Sequence, residues 1–142
     1  MSEFNKMRKN TFKKGVGFSK YDSNGNVVYS ESVGRNGETV QHFYEYDNLG
    51  RRNKYSEVSN SGILMVEYTR YDNTGSVYKY IWNEIHHTST IKIINNMGRV
   101  TYSKTINSDT GKYTTTIYDS YKDKNIKETG TDLFVLNFSF MT

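Results

Sequence analysis

The chain has 142 residues with a net charge of +4 and a mean hydropathy of −0.80, which fits one ordinary domain and leaves too little polypeptide for two well-cored ones. Its 13 Tyr and 7 Phe exclude the aromatic-poor composition of a disordered chain, and the absence of Cys excludes disulfide staples, thiolate nucleophiles and thiolate metal sites. No stretch is apolar for the length of a membrane-spanning helix, and residues 1–20 lack a signal-peptide core, so a cytoplasmic location is expected.

In chain order, residues 1–20 come first as a basic segment. Lys6, Arg8, Lys9, Lys13, Lys14 and Lys20 supply six of the 19 basic residues, with Glu3 the single acid. The remaining chain carries 13 basic against 14 acidic residues, so the basicity belongs to this segment. It reads as a solvated flank or as an arm for anions.

Residues 21–130 carry an internal repeat. Tyr21-Asp22-Ser23-Asn24-Gly25 recurs as Tyr46-Asp47-Asn48-Leu49-Gly50 and Tyr71-Asp72-Asn73-Thr74-Gly75, 25 residues apart each time. Degenerate copies follow at Ile94-Asn95-Asn96-Met97-Gly98 and Tyr118-Asp119-Ser120-Tyr121-Lys122. Gly37, Gly62 and Gly111 mark a second turn inside most units. In the first turn, the Asp or Asn side chain can accept from the backbone N–H two residues on, while Gly takes the left-handed conformation. Between turns, Val27-Val28-Tyr29, Phe43-Tyr44, residues 77–82 and residues 113–118 have the β-branched and aromatic composition of strands. No helical period is present. The reading is all-β: an antiparallel meander of about ten strands, each of roughly seven to nine residues, forming a curled sheet or a small barrel-like one.

Residues 131–142 close the chain, and Leu133 to Phe140 is its most apolar run. A final strand covering a core or an edge is expected there. The whole of 1–142 is read as a single domain.

The Y-D-x-x-G unit, followed by an extended segment and a second Gly turn, resembles the YD repeat of Rhs proteins, whose long arrays build a β-sheet shell around a toxin. The resemblance covers about 21 to 130. It departs from the usual unit in lacking a turn glycine near His87 and in the disrupted segment from Asp119 to Asp123. MORN-like repeats share the length and the glycine content. Five units cannot enclose a cargo domain. The resemblance therefore implies a short solitary array acting as an immunity protein, which binds a cognate bacterial toxin and blocks it sterically.

Strand alternation suggests where a partner would dock. Counting from each first Gly, the third, fifth and seventh positions are Val28, Ser30 and Ser32 in one unit and Thr101, Ser103 and Thr105 in another, but Tyr78, Tyr80 and Trp82 in the third. Three large aromatics on one strand face form either a stripe beneath the C-terminal run or a recognition patch. Arg51, Arg52, Lys54 and Tyr55 are the candidate polar rim.

Catalytic constellations are scarce. His86 and His87 are adjacent, so in a strand they point to opposite faces, and His42 stands alone. Glu84 and His86 could share a face as an acid–base pair. There is no zinc spacing, phosphate loop or nucleophile elbow. The expectation is a non-enzymatic protein-binding module with no cofactor, no metal, no catalytic residue and no membrane partner. A carbohydrate-binding or cell-surface module is the alternative, and nucleic-acid binding through the basic segment is the third reading.

Overall fold

The computed structural model describes residues 8–9, 16–34 and 36–132. Within them lie eleven strands and no helix: β1 (Arg8–Lys9), β2 (Val16–Tyr21), β3 (Val27–Val33), β4 (Thr39–Tyr46), β5 (Arg52–Ser59), β6 (Gly62–Tyr71), β7 (Val77–Asn83), β8 (Thr88–Ile94), β9 (Val100–Asn107), β10 (Lys112–Asp119) and β11 (Lys124–Thr131). Strands pair in chain order, with β1 and β11 at the two ends of that order. The fold is thus the antiparallel meander that the repeat dictates. The basic segment is described at β1 and at Val16 to Lys20 of β2, and the apolar run from Leu133 lies outside the described residues.

The turns follow the chemistry of their first residue. Asp22 Oδ1 accepts from the N–H groups of Asn24 and Asn26, both at 2.9 Å. Asp47 does the same for Leu49 and Arg51, Asp72 for Thr74 and Ser76, and Asn95 for Met97 and Arg99. One oxygen therefore satisfies two amides that a five-residue loop would otherwise leave unpaired. The glycine that closes each loop sits at positive φ, between 78° and 88° at Gly25, Gly50, Gly75 and Gly98. Where the expected glycine is missing, a side-chain-bearing residue takes its conformation: His87 at φ 52° and Asp123 at φ 50°. Asp119 still starts the last of these turns, accepting from Tyr121 at 2.9 Å and from Lys122 at 3.3 Å.

A bulge recurs beside the same turn. Tyr21 faces Val27 while Lys20 faces Tyr29; Tyr46 faces Arg52 while Glu45 faces Lys54; Ile94 faces Val100 while Ile93 faces Tyr102. The extra residue is Val28, Asn53 or Thr101, in each case three after the glycine. It switches the faces of the residues that follow. Val28 and Thr101 therefore do not belong to a simple alternation with the fifth and seventh positions, which corrects that part of the sequence-based count.

The chain divides into two compact units, one ending at Val66 and one beginning at Glu67. In the first, β3, β4 and β5 put Tyr29, Phe43 and Ser56 in one cross-strand row and Ser30, His42 and Glu57 in another. Phe18, Tyr29 and Phe43 pack in tilted and edge-to-face contacts at ring-centroid distances of 5.6 and 5.2 Å, with the Lys20 ammonium 4.9 Å over Tyr29. In the second unit, β7 to β11 align Tyr78, Ile93, Tyr102, Ile117 and Ile126. Among the described residues no apolar side chain is fully buried, and Ser59 and Thr115 are the buried polar ones. Stability therefore comes from half-buried neighbours across strands, each pair contributing roughly 0.2–1 kcal/mol, and not from a closed interior.

Candidate functional site

The second unit gives the predicted aromatic stripe its setting. Tyr78, Tyr80 and Trp82 project from one face of β7, opposite Ile93, Ile91 and Ser89 on β8. The register carries three rows onward. One runs through Tyr102, Ile117 and Ile126, one through Lys104, Thr115 and Glu128, and one through Ile106, Tyr113 and Gly130. Five strands at ~4.8 Å spacing make this face ~20 Å wide. Its apolar surface is open: Tyr80 is 42% exposed, Ile91 46%, Ile117 46% and Ile126 45%. Gly130 is needed in this layer because a Cβ there would lie 2.5 Å from the Tyr113 hydroxyl, whose ring covers the glycine.

Polar groups fix the rings without covering them. The Tyr78 hydroxyl donates to Asp72 at 3.1 Å, and Arg70 lies 4.2 Å over its ring. Tyr68 packs 6.5 Å from Tyr80. The Trp82 indole N–H donates to Glu84 at 2.7 Å, and the indole stacks on His87 at 6.4 Å and 9°. His87 in turn reaches Asp109 at 2.8 Å. Glu84 to His87 form a turn and not a strand, so the idea that Glu84 and His86 share a strand face is corrected. Glu84 and His87 meet instead, at 3.9 Å, because the left-handed His87 swings its ring back over β7.

The reverse face of β8 to β11 is polar in its middle rows. Thr90, Thr105, Thr114 and Thr129 form one row, and Lys92, Ser103, Thr116 and Lys127 another. Thr90 and Thr105 share a hydroxyl contact of 2.9 Å. Ile81 of β7 heads the first of these rows and Val77 pairs with Ile94 beside the second, so the polar character belongs to the middle of that face.

The candidate rim residues belong to the first unit. Arg51 pairs with Asp47 at 2.8 Å within the turn, and Lys54 faces Glu45 at 3.6 Å. Arg52 lies 5.7 Å over the Tyr44 ring and 5.3 Å over the Tyr55 ring. Tyr55 lies at the centre of a hydrogen-bonded chain that the sequence did not announce. Its hydroxyl donates to Glu57 at 2.9 Å and meets His42 Nδ1 at 2.8 Å, while His42 Nε2 meets the Ser32 hydroxyl at 2.8 Å. Burial, then the Glu57 carboxylate at its hydroxyl, push the Tyr55 phenol well above its ordinary range. It therefore keeps its proton and remains a donor.

Tyr29 repeats the device on the other face of the unit, donating to Glu31 at 2.7 Å and accepting from Gln41 at 3.0 Å. Its phenol is raised first by burial and then by Glu31. At the turns, Asp47 is held below the usual carboxylate range chiefly by the Arg51 amide, and Asp72 chiefly by the Thr74 hydroxyl. Among the described residues no group of three or more His, Asp or Glu is placed to hold a metal ion. Comparison with protein-family models, curated proteins and solved structures finds no match for the chain.

Proposed function

We propose that the chain is a binding module that holds another protein against the aromatic and aliphatic face of the second unit. The observation that carries this reading is the exposure of Tyr80, Ile91, Ile117 and Ile126 on one cross-strand face. Exposed apolar area in a contiguous patch is costly in water and marks recognition surfaces. Tyr and Trp held by hydrogen bonds at their polar ends lose little further entropy when a partner arrives, which makes Tyr78 and Trp82 suitable anchors.

The partner is a toxin domain, and the module acts as its cytoplasmic immunity protein by covering the toxin's active site. The support for this narrower reading is the likeness of the Tyr-Asp repeat to toxin-associated arrays. The test is growth rescue on co-expression with a toxin encoded beside this gene. Rescue by the intact chain, lost in Tyr80→Ala and Trp82→Ala variants that keep the β-sheet circular-dichroism spectrum, is the expected result. Growth arrest in the presence of the intact chain overturns it.

A further inference from the structure

The chain of side chains on the first unit has a direction. Glu57 accepts the hydrogen bond of the Tyr55 hydroxyl, so the Tyr55 oxygen accepts from the Nδ1–H of His42 at 2.8 Å. That tautomer leaves Nε2 with a free lone pair, and Ser32 Oγ stands 2.8 Å from it. A hydroxyl, an imidazole base and a group that fixes the base's tautomer are the parts of an activated nucleophile. Three strands supply them: β3 gives Ser32, β4 gives His42, and β5 gives Tyr55 and Glu57. The ladder sets Glu57 directly opposite His42.

We propose that Ser32 is a nucleophile activated by His42, and that it takes acyl groups from short-chain esters bearing good leaving groups. In the first step Ser32 Oγ forms a bond to the ester carbonyl carbon as its proton passes to His42 Nε2. The imidazolium is held by Tyr55, whose bond to Glu57 supplies the balancing charge. The tetrahedral centre then expels the leaving oxygen, which takes the proton from Nε2, and leaves an acyl-Ser32 ester. Water repeats the sequence with His42 as base, releasing the acid and restoring the hydroxyl.

The substrate class follows from the surroundings. Backbone N–H groups of β3 to β5 are engaged in the ladder, so a developing oxyanion meets no preorganised pair of amides and is left to the solvent. Such stabilisation is weak beside a preorganised pair of amides. This restricts the reaction to activated esters and excludes amide cleavage. Val40, directly opposite Ser32, offers a small apolar flank suited to a short acyl chain. Ser32 and His42 are the catalytic residues, and Tyr55 and Glu57 are positioning residues. The inference concerns a different unit from the proposed protein-binding face and stands apart from it.

The test uses the full chain, p-nitrophenyl acetate and a fluorophosphonate probe. The expected result is one adduct, on Ser32 by peptide mass spectrometry, and a burst of p-nitrophenol that Ser32→Ala abolishes. His42→Ala lowers the acylation rate by about 100-fold, and added imidazole restores part of it, which a merely structural histidine would not permit. Tyr55→Phe slows acylation about 10-fold, whereas Glu57→Gln retains more activity because its carbonyl still accepts from Tyr55. Circular dichroism on each variant separates loss of reactivity from loss of fold. No adduct on a folded chain, adducts spread over the other serines, or an imidazole-insensitive His42→Ala variant overturns the proposal.

Discussion

Tyr29, Tyr44, Tyr46 and Tyr55 of the unit ending at Val66 place their hydroxyls on Glu31, Ser30, the Val27 carbonyl and Glu57. In the unit beginning at Glu67, one face of β7 to β11 carries the row Tyr78, Ile93, Tyr102, Ile117 and Ile126, and Tyr80, Ile91, Ile117 and Ile126 on it are exposed. The two regions share turns, strand lengths and bulges, so the scaffold imposes neither outcome. A repeat whose inward chemistry is carried by the loop leaves its strand faces free to diverge, one toward an internal polar chain and one toward recognition.

That contrast can be broken most directly in the apolar row. Tyr102→Ala removes the middle of the row Tyr78, Ile93, Tyr102, Ile117 and Ile126, and should cost the second unit about 2 kcal/mol. Trp82, the single tryptophan of the chain, makes fluorescence during urea unfolding a reporter of that unit. An unmoved midpoint would mean that the row contributes to recognition and not to stability. In the first unit Tyr55→Phe keeps the ring but strips His42 and Glu57 of a partner, a loss of about 1–2 kcal/mol. Far-UV circular dichroism should register it.

Smaller effects sharpen the comparison of the turns. Gly50→Ala meets no atom within 4 Å, so its penalty is the backbone conformation at φ 78° alone, about 1 kcal/mol by urea midpoint. His87→Gly relaxes a left-handed residue but surrenders the Asp109 contact and the stack on Trp82, so the effects oppose and the net loss stays below about 1 kcal/mol. The smallest difference is a pH effect. The folded-state values of Asp47 and Asp72 are depressed, so the folded chain binds fewer protons than the unfolded one in that window. Their contribution is present above the ordinary carboxylate range and is lost as pH falls through the depressed values. Asp72→Asn keeps the accepting oxygen and should flatten the decline of stability as pH falls below about 4. Asn95, in the same turn position, already does this in the fourth repeat.

Much of the meander was legible in the sequence because its signals are local. Asp and Gly at fixed offsets specify a loop, and β-branched and aromatic runs specify the strands between. The aromatic stripe on β7 was legible for the same reason, since alternation alone puts Tyr78, Tyr80 and Trp82 on one side. Its neighbours were partly readable. Reflecting Tyr78 through residues 84–87 lands on Ile93, and reflecting Tyr102 through residues 108–111 lands on Ile117. The step from Ile93 to Tyr102 was not readable, because the extra Thr101 shifts the register by one. The chain through Ser32, His42, Tyr55 and Glu57 left no signal at all. Its members are brought together by pairing across three strands, and each of these residue types is ordinary on a β-surface. The turn at His87 misled for a different reason: without a glycine the segment looked extended, whereas the histidine itself adopts the left-handed conformation.

The bulge three residues beyond Gly25, Gly50 and Gly98 gives these hairpins a property of their own. An unpaired residue inside a module confines a phase error to the hairpin in which it arises. Copying or deleting one whole module therefore adds or removes two strands while returning the polypeptide to the side of the ribbon it left. Growth of such an array by duplication lengthens the ribbon without scrambling the pattern already written on either side, and each new copy is then free to acquire its own surface.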